Sequence, residues 1–115
     1  MEWWHSLLPS DIRSHAYVAS NGELAWARDD ALAVIDFLSG VSLRVLGVDV
    51  WGMDEDGPTL SSFVYDLDVG GESSESAARC AQSFIQSFRW DEADPVKGLI
   101  PFFNITVDSG PSTVH

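Results

Sequence analysis

The stretch from residue 25 to 52, AWARDDALAVIDFLSGVSLRVLGVDVWG, constrains the fold most, because it predicts one helix followed directly by one strand. Asp29 can accept hydrogen bonds from the free amides of a first helical turn, and Gly40 can take the left-handed conformation that ends a helix. Between them, apolar residues recur at three- and four-residue spacing: Ala31, Leu32, Val34, Ile35 and Leu38. The branched residues that follow predict a strand from about residue 42 to 51, covered on both faces at its start and therefore central.

A second strand is predicted from about residue 62 to 69, where apolar and polar residues alternate. One side carries Phe63, Tyr65, Leu67 and Val69, and the other carries Ser62, Asp66 and Asp68, with Val64 as the exception to the alternation. The polar connection 52–58 is too short for a parallel crossover. We therefore expect an antiparallel hairpin that this acidic loop closes.

The second half of the chain predicts one more helix and one more strand. Ser73 is a candidate N-cap for a helix over 74–89, whose apolar positions place Cys80 on the buried side. Residues 99–107 predict a last strand with Phe103, Ile105 and Val107 on one face. Near the N-terminus, Pro9 should interrupt the helical segment over 2–14.

This order predicts a single α+β domain over residues 1–115. It would contain a small, mainly antiparallel sheet, made of the hairpin plus the C-terminal strand, with two main helices packed on one face.

The composition narrows the choice of partners and compartment. Eighteen acidic and six basic residues give a net charge of −12, which repels nucleic acid and anionic lipid and attracts basic partners. Cys80 is the only cysteine, and no apolar run approaches the roughly 20 residues that cross a bilayer. We expect no export signal, because Glu2 stands where a signal peptide is basic and Pro9 interrupts the apolar run. We therefore expect a soluble cytoplasmic protein that contacts neither nucleic acid nor membrane, with a monomer favoured.

The acidic residues are segregated along the chain, since no Lys or Arg occurs between Arg44 and Arg79. The predicted hairpin would bring the acids of this tract into a negative patch flanked by a tryptophan, which could anchor a basic partner. The predicted partner-binding residues are Asp49, Trp51, Asp54, Glu55, Asp56, Asp66, Asp68 and Glu72. The simpler alternative is a solvated sheet face without a partner.

Catalytic and metal sites are poorly supported by the sequence. Counted from Asp66, the twelfth residue is Ala77, where a calcium loop of the EF-hand type requires a bidentate Glu. Cys80 on a buried helix face, with His5 and His15 elsewhere, does not predict a nucleophilic site. Paired carboxylates of a small hydrolase stay possible, although so short a chain rarely forms a deep cleft. We predict a protein that is not an enzyme and that needs no metal or cofactor.

Several runs of this sequence resemble one known family. Leu24-Ala25-Trp26 precedes an Asp-Ala-Leu helix and a Leu-Gly-x-Asp-Val strand within LAWARDDALAVIDFLSGVSLRVLGVDVW. The later Phe63-Val64-Tyr65-Asp66 strand and the Ser-rich entry into the last long helix are similar too. On these residues the chain, roughly from Trp3 to Val107, resembles the immunity protein 40 family of bacterial polymorphic toxin systems.

The resemblance implies a small cytoplasmic protein that binds and blocks a cognate toxin domain. Many such toxins are nucleases with positive active sites, which an acidic inhibitor can occupy as a nucleic acid mimic. By position, Trp26, Gly47 and Asp49 would serve the fold and also function. The alternative is an adaptor or regulatory module that binds a basic protein or peptide without any toxin.

Overall fold

A computed structural model describes residues 3–61 and 63–108, and these form an α+β fold with its helices on one side of an antiparallel sheet. The elements, in chain order, are a 3-10 helix Trp3–Leu7, α1 Ser10–Ser14, β1 Tyr17–Val18, β2 Leu24–Ala27, α2 Arg28–Gly40, β3 Val45–Asp54, β4 Gly57–Thr59, β5 Asp66–Asp68, α3 Ser74–Ser87 and β6 Ile100–Val107. The predicted fold class is confirmed.

The sheet is built around β3 and β6, in the strand order β1-β2-β6-β3-β4, with β5 also paired to β3. β3 and β6 run antiparallel from Val45 opposite Val107 to Met53 opposite Ile100. On its other side β3 pairs first with β5 and then with β4, so it is central, as predicted.

The hydrophobic core lies between one face of this sheet and the two long helices. Phe103, Ile105 and Val107 of β6 alternate inward, as predicted, and Val48 of β3 joins them. The helices contribute Ala31, Val34, Ile35 and Leu38 from α2 and Ala77, Ala81 and Ile85 from α3. The opposite face of the sheet carries no helix in the described ranges, which leaves its residues available for contacts.

Arg28, the first residue of α2, ties that helix to the end of α3. Its guanidinium donates hydrogen bonds to the carbonyl oxygens of Ile85 at 2.6 Å, Gln86 at 3.1 Å and Phe88 at 3.2 Å. The last carbonyls of a helix have no partner within that helix. Arg28 supplies them with donors and with positive charge at the negative end of the helix dipole.

The ends of α2 differ from the prediction. Ala27 occupies the N-cap position without a side-chain hydrogen bond, and Asp29 lies in the first turn. Gly40 is still helical, and the residue with positive φ is Ser42, at 60°. The amide of Leu43 donates to the carbonyl of Leu38 at 2.9 Å across the left-handed Ser42, and this capping bond ends the helix.

The predicted hairpin is correct in its antiparallel pairing but wrong in its connection. Asp49 of β3 lies opposite Asp66 of β5, but β4 and residues 60–65 lie between the two strands in the chain. β3 turns directly into β4 through residues 55 and 56, and Gly57, with φ of 113°, makes this tight turn possible. Regular pairing of the second strand is therefore limited to Asp66–Asp68, and the predicted Ser62 lies outside the described residues.

In α3 the cap is confirmed and the cysteine is a correction. The Ser73 hydroxyl accepts a hydrogen bond from the amide of Ser76 at 3.2 Å. Cys80, predicted on the buried side, is exposed. Alanines and Ile85 form the buried face, so Cys80 lies just outside the stripe that contacts the core.

The N-terminal helical segment is interrupted at Pro9, as predicted, and it covers one end of the core. Trp4 and Leu8 are buried. The indole Nε1 of Trp26 donates to the carbonyl of Ile12 at 3.1 Å, which ties β2 to α1.

Candidate functional site

A groove of about 500 Å³ opens on the sheet face that carries no helix. It is lined by residues 19–21, 23, 49–51, 58–61 and 63–65. Its floor belongs to β3 and one wall to the turn between β1 and β2. The other wall belongs to β4 and to residues 60, 61 and 63–65, which are called the segment 60–65 below. This volume lies within the range of sites that bind small ligands or side chains.

The sheet curls so that its two edge strands meet across this face. β1 and β4 stand at opposite ends of the strand order, but Tyr17 of β1 packs edge-on against Trp51 of β3, with ring centroids 6.3 Å apart. The Tyr17 hydroxyl also approaches Gly57 of β4, where an added Cβ would lie 3.2 Å from it. These contacts link β1 to β3 and β4 next to Trp51, which lines the groove.

The turn between β1 and β2 positions an acidic side chain at the rim. The Asn21 side chain accepts from the amide of Glu23 and donates to Glu23 Oε2, both at 3.0 Å. Gly22 has a φ of 87°, which the tight turn requires. The Glu23 carboxylate is therefore held in place on the groove wall.

The opposite wall, the segment 60–65, is anchored at its base by Tyr65. The Tyr65 ring packs edge-on against Phe88 at 5.2 Å and Trp90 at 5.4 Å, and its hydroxyl accepts from the amide of Asp91 at 3.0 Å. Such aromatic pairs contribute about 0.5–1.5 kcal/mol each beyond the area they bury. The base of this wall is thus built into the fold.

The tip of the same segment presents apolar side chains to solvent. Leu60 is 93% exposed, Val64 is 89% exposed and Phe63 is 41% exposed. Ser61 between them is fixed by a hydrogen bond from its hydroxyl to the Asp94 carboxylate. A group of exposed apolar side chains beside a groove is typical of a partner-binding surface.

The floor of the groove concentrates negative charge. Asp49 lies directly opposite Asp66 in the β3–β5 register, so the two side chains project from the same face. Desolvation raises the pKa of Asp49, and the negative charges of Asp66 and Glu23 raise that pKa further. The three carboxylates therefore share one negative field.

No cation in the described part of the chain forms an ion pair with these three carboxylates. In residues 3–61 and 63–108 the ion pairs are His15–Asp30, Arg44–Asp108, Arg79–Glu75 and Lys97–Glu92. None of them involves Glu23, Asp49 or Asp66. The floor can therefore accept a cation from another molecule without breaking an internal ion pair.

The predicted partner-binding residues fall into three groups along β3. Asp49 and Trp51 line the groove and Asp66 lies beside them. Asp54, Glu55 and Asp56 lie at the β3–β4 turn, where the backbone is about 17 Å from Asp49 at roughly 3.4 Å per residue. Asp68 and Glu72 lie at the other end, where β5 leads into α3.

Several of these acids already serve the local structure. Asp54 accepts from the amide of Asp56 at 2.8 Å and from the hydroxyl of Thr59 at 3.2 Å. Asp68 accepts from the amide of Gly70 at 3.0 Å, and Glu72 accepts from the Ser76 hydroxyl at 2.7 Å. Asp49 and Asp66 make no such turn contact among the described residues, which leaves their charges available to a partner.

Sequence reasoning missed Glu23 and the apolar tip formed by Leu60, Phe63 and Val64. The Ser-Asn-Gly turn before Glu23 is visible in the sequence, but its approach to Asp49 depends on the curl of the sheet. Leu60 follows Pro58 in a segment that the sequence assigns to the boundary of a loop and a strand. Its exposure could not be inferred from spacing alone.

Titratable residues elsewhere do not form a second site of this kind. His5 is buried against the rings of Trp4 and Trp26, at 4.4 and 6.3 Å, and burial lowers its pKa. Within the described ranges, no cluster of three or more His, Cys, Asp or Glu could hold a metal ion. None of the helices there is long and apolar enough to cross a membrane.

No family model, curated protein or solved structure matches this chain.

Proposed function

We propose that this chain is a non-enzymatic immunity protein that binds and neutralises a cognate bacterial toxin domain through its acidic sheet face. One observation carries the proposal: at the groove, carboxylates that form no ion pair among the described residues lie beside exposed apolar side chains. Glu23, Asp49 and Asp66 supply the charge, and Leu60 and Val64 supply apolar surface at the rim. The sequence resemblance to the immunity protein 40 family points the same way.

The charge of the chain favours a basic partner. A net charge of −12 accelerates encounter with a positively charged surface and repels nucleic acid. A nuclease toxin must be positive where it holds phosphates, so an acidic inhibitor would compete for that site. A standard interface buries about 800 Å² per partner, roughly an eighth of the 6550 Å² surface of this protein.

The test is co-expression of this chain with the toxin domain encoded beside its gene, scoring cell survival and co-purification. We expect survival and a stoichiometric complex. A toxin domain expressed with an empty vector is the control for toxicity. Cell death with no complex, while circular dichroism shows that the chain is folded, would refute the immunity function.

The second candidate is an adaptor or regulatory module that binds a basic peptide or protein with no toxin involved. The groove is as compatible with an adaptor as with an immunity protein, because a short peptide segment could lie between the walls of the groove. A complex with a non-toxic basic protein, together with failure to rescue cells from the neighbouring toxin, would support this candidate.

A further inference from the structure

We infer that the groove receives an arginine side chain from an extended segment of the partner, with its guanidinium between Glu23 and Asp49 and against the ring of Trp51. This inference deepens the proposed function, on which it rests, by naming the chemistry of the partner's contact. It also places the centre of the interface in the groove and not at the acidic β3–β4 turn.

The groove is negatively charged. Two carboxylates, Glu23 on the wall and Asp49 on the floor, line the groove, and Asp66 lies across the strand pair from Asp49. Arg28 donates to the end of α3 and Arg44 pairs with Asp108, and none of the ion pairs among the described residues involves the groove acids. A guanidinium that enters the groove would thus meet carboxylates that no cation of the described residues pairs with.

The side chains that line the groove also match the planar shape of a guanidinium. A guanidinium is planar, it stacks on aromatic rings, and its donors match a carboxylate in a bidentate arrangement. Trp51 lines the groove next to the two carboxylates, and its ring is held by the edge-on contact with Tyr17. This combination of a fixed aromatic ring and acids suits arginine better than lysine, whose ammonium is a compact and strongly hydrated charge.

The rim of the groove is apolar. Leu60 and Val64 are almost fully exposed beside the groove, on a segment anchored by Tyr65 and by the hydrogen bond between Ser61 and Asp94. Exposed apolar side chains on an anchored base gain free energy when a partner covers them. An arginine flanked by apolar residues would therefore pair with the carboxylates of the groove and cover the apolar side chains at its rim.

The experiment titrates the full-length, ¹⁵N-labelled protein with the blocked peptide Val-Arg-Val and follows amide and indole NMR signals. The matched probe is the same peptide with citrulline, which keeps the shape of arginine and removes its charge. We expect saturable shifts at Glu23, Asp49 and the Trp51 indole, with at least about tenfold weaker binding of the citrulline peptide. Equal binding of both peptides, shifts confined to residues 54–56, or no saturable shift up to about 10 mM peptide would each overturn the inference.

Two variants with equal charge change separate a specific site from overall charge. Glu23→Gln/Asp49→Asn/Asp66→Asn removes three charges at the groove, and Asp11→Asn/Asp36→Asn/Glu92→Gln removes three exposed charges elsewhere. We expect the groove variant to bind the arginine peptide about tenfold more weakly and the control variant to change binding less than about twofold. Equal losses in the two variants would show that only net charge matters and would overturn the inference.

The outcomes also separate this inference from the immunity function. Rescue of cells from the neighbouring toxin without peptide binding in the groove would leave the immunity function standing and remove the arginine site. Peptide binding in the groove without rescue would keep the site and refute the immunity function.

Discussion

Replacing Asp49 with Asn should make the folded protein more stable, because the charge of Asp49 opposes folding. The pKa of Asp49 is raised above its ordinary value of 3.8 by desolvation and by Asp66 and Glu23. A raised pKa means that the folded state prefers the protonated carboxyl group. The associated stability is therefore present below about pH 3.8, is lost as the pH rises through the raised pKa, and is absent at pH 7.

The size of the expected stability change follows from the position of Asp49 opposite Asp66. Like charges directly opposite each other on antiparallel strands destabilise a sheet by about 0.2–1 kcal/mol. Asp49 and Asp66 are both exposed, so solvent and salt screen part of this repulsion. We expect Asp49→Asn to raise the free energy of unfolding at pH 7 by about 0.5 kcal/mol, which corresponds to roughly 2 °C in Tm.

Urea denaturation at low and high salt, at pH 7 and at pH 3, measures this effect. Asp36→Asn on the exposed side of α2 is the control with the same change in net charge. The increase in the free energy of unfolding caused by Asp49→Asn should exceed the increase caused by Asp36→Asn and should shrink in high salt. It should disappear at pH 3, where the Asp49 carboxyl group of the wild type is largely protonated. A gain equal to that of Asp36→Asn, or one that is insensitive to salt and pH, would refute the reasoning.

Two further predictions concern the fold that carries the groove. Gly47→Ala should lower the free energy of unfolding by about 1–3 kcal/mol, because an added Cβ would lie 2.8 Å from the carbonyl oxygen of Leu67; unchanged stability in urea denaturation would contradict this close approach. Trp26→Phe should lower the free energy of unfolding by about 1 kcal/mol more than Trp4→Phe does. Both rings are fully buried, but among the described residues only the Trp26 indole donates a hydrogen bond, to the carbonyl of Ile12. The Trp4 indole nitrogen has no acceptor among the described residues. Equal losses of stability in the two variants would show that the hydrogen bond of Trp26 is not worth this difference.

Local patterns of the sequence determined the two long helices, the central strand β3, the last strand β6 and the fold class, but not the short strands β1, β2 and β4. The apolar spacing of α2 and α3, the alternation of Phe103, Ile105 and Val107, and the cap at Ser73 all depend on residues within a few positions of one another. The few residues between Trp51 and the next predicted strand also favoured antiparallel pairing, which the structure has, although residues 52–54 and 57–59 are strands and not a loop. Such features are predictable because their energies come from neighbouring residues.

The exact ends of elements and the exposure of single residues were less predictable. Gly40 was a plausible helix end, but the bond from Leu43 to Leu38 moved the left-handed position to Ser42. Cys80 was assigned to the buried side of α3, but only a narrow stripe of that helix contacts the core. These details depend on what each element packs against.

The sequence by itself determined that the protein is acidic and that Asp49, Trp51 and Asp66 lie in or next to paired strands. Only the tertiary structure decided which acids lie together. The curl of the sheet brings Tyr17 to Trp51 and places Glu23 beside Asp49, while the acids of the β3–β4 turn stay apart. The physical reason is that curling depends on packing between residues far apart in the chain, which no local pattern specifies.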